Sequence, residues 1–192
     1  MPYIAESYIH EMDRKAFAAL NTFPQFVKLE EAYHANYDER AARIQLLSSS
    51  VRINENQMPE IYRLLPPICE KLGIDVPELY YIRNKEMNAA TMGTTNPCIS
   101  VTSALVKHLS LEQIASVLAH ECGHIACKHY LYHSIVSNVI NKLNDSPLGY
   151  VGAFRRFATP GLVNAILFWD RCSELSADRA AILCDGQPET MV

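Results

Sequence analysis

A long apolar stretch, residues 111–131, carries two histidines and a glutamate in its middle: Leu118-Ala119-His120-Glu121-Cys122-Gly123-His124. No other feature constrains the fold as strongly, because ionisable groups inside an apolar helix are costly unless something pairs with them. An α-helix turns about 100° per residue, so His120 and His124 share one face a turn apart and can grip a single ion. Glu121 lies about 100° around the axis, which makes it a poor ligand but lets its carboxylate reach a water held on that ion. Ser110, with Gln113 three residues on, carries the capping-box signature of a helix start, and Ile114, Val117, Leu118 and Ile125 provide the buried side.

A catalytic zinc takes three protein ligands and keeps one position for water, so a third donor is needed. In the pattern HExxHxxGxxH that donor is a histidine, but here Cys127 replaces the glycine and Tyr130 the histidine, with His129 one place early. On a continuing helix His129 lies about 140° from His124 and points away. By the same geometry Cys122, His124, Cys127 and His129 diverge around the axis and do not make a second zinc site. The better donor is in Cys172-Ser173-Glu174-Leu175-Ser176-Ala177-Asp178-Arg179, where Glu174 and Asp178 are four apart on one helical face. Glu174 can ligate, and Asp178 can accept the free ring N–H of a ligating histidine, fixing its tautomer.

With these two motifs in place, the chain resembles the zinc metallopeptidases that include HtpX and the type I CAAX prenyl proteases. The likeness also takes in Met87-Asn88-Ala89-Ala90-Thr91-Met92-Gly93 and Pro97-Cys98-Ile99-Ser100-Val101-Thr102, and covers roughly residues 57–186. The resemblance implies an α+β, mainly helical zincin-like domain with a small antiparallel sheet beside the HExxH helix. It implies one Zn²⁺ per chain held by His120, His124 and Glu174, with Glu121 as general base and Asn88 and Ala89 along a cleft that binds peptide or unfolded protein. A second oxyanion donor is expected from Arg179, His129, His133 or Tyr150. Relatives continue further past the ExxxD helix, so the expectation is a shortened form or a fragment.

Composition narrows the class further. At 192 residues, 49% hydrophobic and 20% charged, the chain is expected to fold around one sizeable core. Residues 1–56 read as an N-terminal helical segment packing on a catalytic domain of residues 57–192. A net charge of −4 without a basic block argues against a nucleic-acid partner. No apolar run approaches the ~20 residues of a membrane span, and the N-terminus lacks the pattern of a secretory signal. Six cysteines without a CxxC pair fit reduced thiols in a cytoplasm. The oligomeric state is not encoded in any pattern found.

Along the chain, residues 10–20 predict a helix with Met12, Ala16, Phe17 and Leu20 facing the core, and residues 23–47 predict further helix. Residues 48–53 predict a short strand or connector, and 57–72 a helix interrupted at Pro66-Pro67 and ended by Gly73. Strands are expected at 79–82, 88–92 and 98–101, with 88–92 the less hydrophobic edge, able to add an extended peptide as another strand. A break at 144–149 precedes a helix opened by Pro160-Gly161 that carries Glu174 and Asp178. Two competing readings keep the zinc without the activity: an interaction protein with a closed structural site, or a latent peptidase whose N-terminal helices cover the cleft.

Overall fold

The computed structural model describes residues 2–28, 30, 39–93, 95–130, 132–133 and 159–185. The expected break at 144–149, Tyr150 and much of the stretch between 23 and 47 lie outside these. A 3₁₀ turn (Ala5–Ser7) leads into α1 (Glu11–Leu20). After it come α2 (Glu39–Ser49), β1 (Ser50–Ile53), α3 (Pro59–Tyr62), α4 (Leu65–Leu72), β2 (Glu78–Ile82), β3 (Ala89–Met92) and β4 (Cys98–Thr102). There follow α5 (Ser103–His108), α6 (Leu111–Ala126) and α7 (Pro160–Asp185).

Local chemistry explains most boundaries. His10 caps α1, its Nδ1 accepting from the Met12 N–H at 3.1 Å. The helix at 57–72 does break, but before the prolines: α3 ends at Tyr62, and Pro66 and Pro67 sit in the first turn of α4, where a missing N–H costs nothing. Gly73 closes α4 in the left-handed region at φ 66°, a conformation open to glycine without a Cβ clash. Ser110 and Gln113 make the reciprocal capping box that starts α6.

On α1 the buried stripe departs from expectation at one position. Ala16 and Leu20 are buried as expected, but Met12 is 44% exposed and the buried residue of that turn is Asp13. Positions 13, 16, 17 and 20 form the i, i+3, i+4, i+7 set, so the core face is completed by a carboxylate.

The α+β class holds, with four strands in the order β1-β2-β4-β3. The sheet is mixed rather than wholly antiparallel: β1 pairs antiparallel with β2 and β3 with β4, but β2 runs parallel to β4, Leu79 opposite Ile99. The cause is the connection from β2 to β3, which passes the end of β4 and is held there by Thr102 N–H donating to the Asn88 carbonyl (3.0 Å) and Ala104 N–H to that of Asn84 (3.3 Å). Strand β4 then inserts between β2 and β3, buried along its whole length, while β3 becomes an edge as expected.

Two apolar clusters result. The larger joins the sheet (Leu79, Ile99, Val101) to α4, α6 and the C-terminal half of α7. The smaller packs Ala16 and Leu20 of α1 and Phe26 against Leu162, Ile166 and Trp169 of α7. Helix α7, about 39 Å long from its 26 residues, crosses both. It comes close to α6 at Gly123, where a Cβ would lie 2.7 Å from the Ala180 Cβ and 3.0 Å from the Ala177 Cα. Among the described residues no helix is long and apolar enough to cross a membrane.

Candidate active site

This close approach of α6 and α7 brings both sequence motifs together. His120 Nε2 lies 3.1 Å from His124 Nε2 and 3.2 Å from Glu174 Oε2, and His124 Nε2 lies 3.5 Å from Glu174 Oε1. A tetrahedral centre with ligand bonds of ~2.1 Å needs donor atoms roughly 3.4 Å apart, so the two imidazoles and the carboxylate fit a zinc ion in spacing and in donor type. Burial alone would raise the Glu174 carboxyl, but its close pairing with His120 and His124 outweighs this and holds the group well below the usual carboxylate range, as the carboxylate a metal takes up. Asp178, one turn on, has Oδ1 3.0 Å from His120 Nδ1. As an acceptor it holds the proton on that nitrogen and leaves Nε2 bare.

His129 is where helix geometry alone misleads. It does not point away from His124, because α6 ends at Ala126 and the chain reverses through Lys128, a non-glycine residue at φ 60°. That turn brings His129 Nδ1 to 3.0 Å from His124 Nδ1. On its other side His129 Nε2 faces Asp13 Oδ2 at 3.0 Å, and both residues are buried. His133 follows, with Nε2 2.9 Å from Ser173 Oγ; burial, then His124 and His129, push its imidazole down to about 3, which leaves it neutral.

The cysteines stand apart from this cluster. Cys122 Sγ faces Cys69 Sγ at 3.9 Å, and that hydrogen bond together with burial raises its thiol. Burial also pushes the Cys127 thiol up to about 12. Both stay protonated, and among the described residues neither falls in a metal-binding group.

A cleft of about 340 Å³ opens beside the donors. Glu121 and His120 form part of its wall, with Asn88 and Ala89 at the start of the edge strand, Leu105 and Val117 from the helices and Leu109 just after α5. The edge strand contributes a residue the sequence reading did not single out: Thr91 Oγ1 donates to Glu121 Oε2 at 2.6 Å, anchoring the one carboxylate on α6 that faces the cleft rather than the donor cluster. Asp13 was also missed, although its place in the 13, 16, 17, 20 stripe is a readable signal. Of the expected oxyanion donors, Arg179 is exposed on α7, His129 and His133 do not line this cleft, and Tyr150 lies outside the described residues.

An HExxH helix, a carboxylate from a following helix and an edge strand beside them define a zincin-like centre. The chain belongs to peptidase family M48, which residues 55–192 match, in agreement with the resemblance drawn from the motifs. It is 29% identical over 192 residues to the plastoglobule-localized metallopeptidase 48, chloroplastic, of Arabidopsis thaliana, an alignment covering 98% of this chain and 54% of that protein. The chain therefore spans about half the length of that relative. No solved structure matches it.

Proposed function

We propose that this chain is a zinc-dependent metallopeptidase that hydrolyses peptide bonds in peptides or unfolded proteins. His120, His124 and Glu174 would hold one Zn²⁺, and the observation that carries the reading is the 3.1–3.5 Å spacing of their donor atoms beside a cleft walled by Glu121. A zinc ion bound there supplies Lewis acidity and an acidified water. Glu121 acts as general base, taking a proton on its carboxylate as water attacks the scissile carbonyl and delivering it to the leaving amine. Thr91 keeps that carboxylate aimed into the cleft. The edge strand β3 aligns an extended substrate by adding it as a strand, with Asn88 and Ala89 at its start lining the cleft. Asp178 sets the His120 tautomer.

In this reading residues 57–192 are the catalytic domain and residues 1–56 pack on it. Helix α1 lies against α7 and is not among the described residues that wall the cleft. Six free cysteines favour a reducing compartment such as the cytoplasm.

The test is cleavage of casein by the purified, zinc-loaded chain, with Glu121→Gln alongside. The wild type is expected to cleave, and the variant to bind stoichiometric zinc and lose activity by several orders of magnitude. Equal cleavage by both would remove Glu121 as the base, and a chain that binds no zinc would sink the reading as a whole.

A further inference from the structure

His124 presents Nε2 to the donor cluster, so its Nδ1 faces the opposite way, into the protein and against His129 Nδ1 at 3.0 Å. Unless a metal ion takes both lone pairs, as one held by His120 Nε2 and His124 Nε2 would for that pair, two ring nitrogens at such a distance need one proton between them, since two would clash and none would set two lone pairs face to face. The neighbouring contact decides which ring carries it. His129 Nε2 lies 3.0 Å from Asp13 Oδ2, and a carboxylate only accepts, so His129 bears its proton on Nε2 and turns a bare Nδ1 towards His124. The shared proton is then on His124 Nδ1, and His124 Nε2 is bare, the tautomer a metal ligand requires.

Asp13 is itself held from three sides. Its Oδ2 also accepts from Ser176 Oγ at 2.6 Å, and its Oδ1 accepts from Trp169 Nε1 at 3.0 Å. Ser176 Oγ in turn accepts from the His10 N–H at 2.9 Å, leaving its own proton for the carboxylate. A carboxylate only 3% exposed needs such partners, and here they fix its orientation as well.

We propose that Asp13 and His129 are positioning residues of the metal centre: a hydrogen-bonded chain, Asp13 to His129 to His124, through which α1 sets the tautomer and orientation of the second HExxH histidine. This rests on the metallopeptidase reading above. It gives each histidine ligand a carboxylate partner, Asp178 directly for His120 and Asp13 through His129 for His124. Asp13 lies before residue 55, where the family match begins, so the N-terminal helix is a working part of the centre and not only a brace for it. His124, His129 and His133 also lie close enough to hold an ion of their own. Such a site would require His124 to give up the Nδ1 proton that the relay places there.

The experiment measures zinc content and zinc affinity of the full chain, by competition with a chromophoric chelator, for wild type, Asp13→Asn, His129→Leu and His129→Asn. Long-range ¹H–¹⁵N spectra of the imidazoles report the tautomers. One zinc per chain is expected in wild type, with protons on His124 Nδ1 and His129 Nε2. Affinity should fall roughly ten- to hundredfold in Asp13→Asn and His129→Leu. His129→Asn, whose side-chain carbonyl can accept from His124 Nδ1–H, should recover most of that loss. Because replacing a buried hub such as Asp13 risks the fold, the two His129 variants decide the matter. Unchanged affinity in His129→Leu, equal losses in the Leu and Asn variants, a proton on His129 Nδ1, or two zinc ions per chain would each overturn the relay while leaving the peptidase reading in place. A wild-type chain that takes up no zinc removes the peptidase reading and the relay with it.

Discussion

Glu121 has two kinds of neighbour, and the difference bears on how it works. Around α6 it is next to His120, yet its carboxylate turns to the sheet and accepts from Thr91 Oγ1 at 2.6 Å. A hydrogen bond to a charged group contributes about 1.5–3 kcal/mol, and part of that is spent here on holding the proposed base in one orientation. Thr91→Val keeps the shape and removes the donor. Its kcat on a casein-derived peptide is expected to fall about tenfold or more, with zinc content and KM little changed, since ~1.4 kcal/mol in the transition state is tenfold in rate. A variant with wild-type kcat would show that Glu121 needs no such anchor.

Between elements, the proposed site depends on how near α6 can come to α7, because two of the proposed ligands ride on one helix and the third on the other. Gly123, inside the HExxH motif, permits that approach. Alanine there gains about 1 kcal/mol in helix propensity. Its methyl would sit 2.7 Å from the Ala180 Cβ and 3.0 Å from the Ala177 Cα, a methyl and a backbone atom on a packed helix that cannot rotate aside. Overpacking of this kind costs typically 1–3 kcal/mol, so the clash outweighs the propensity gain. Gly123→Ala is therefore expected to lower Tm by about 2–8 °C and to weaken zinc binding by moving Glu174 away from the histidines. Scanning calorimetry and chelator competition check the two effects separately.

At the scale of the whole molecule, Asp13 joins α1, the turn after α6 and the middle of α7 at one buried point. Burial by itself would raise its carboxyl; hydrogen bonds from His129, Ser176 and Trp169 more than offset this and bring it below its ordinary value. A carboxyl lowered on folding stabilises the fold above its unfolded pKa, and that contribution is lost as pH falls through the lower folded value. Below about pH 4 the wild type should lose stability faster than Asp13→Asn, which starts less stable and has no such proton to take up. Thermal midpoints against pH, recorded in excess chelator so that metal loss plays no part, test this. Parallel curves for the two proteins would show that Asp13 is not the acid-sensitive point.

The sequence by itself determined what local periodicity and residue type can carry: the α6 cap at Ser110, the shared face of His120 and His124, the pairing of Glu174 with Asp178, and β3 as an edge. These follow from one helix or one strand, where three or four residues set the geometry. Only the tertiary structure decided what depends on a distant partner or a change of direction. The parallel pairing of β2 with β4 follows from how residues 83–88 pass the end of the sheet, and no strand pattern encodes it. His129 faces His124 because Lys128 takes a left-handed conformation that ends the helix, whereas periodicity assumes the helix goes on. Thr91 and Asp13 meet their partners across 30 and 116 residues, and chain separation of that kind is closed by packing, which a local reading of residues does not contain.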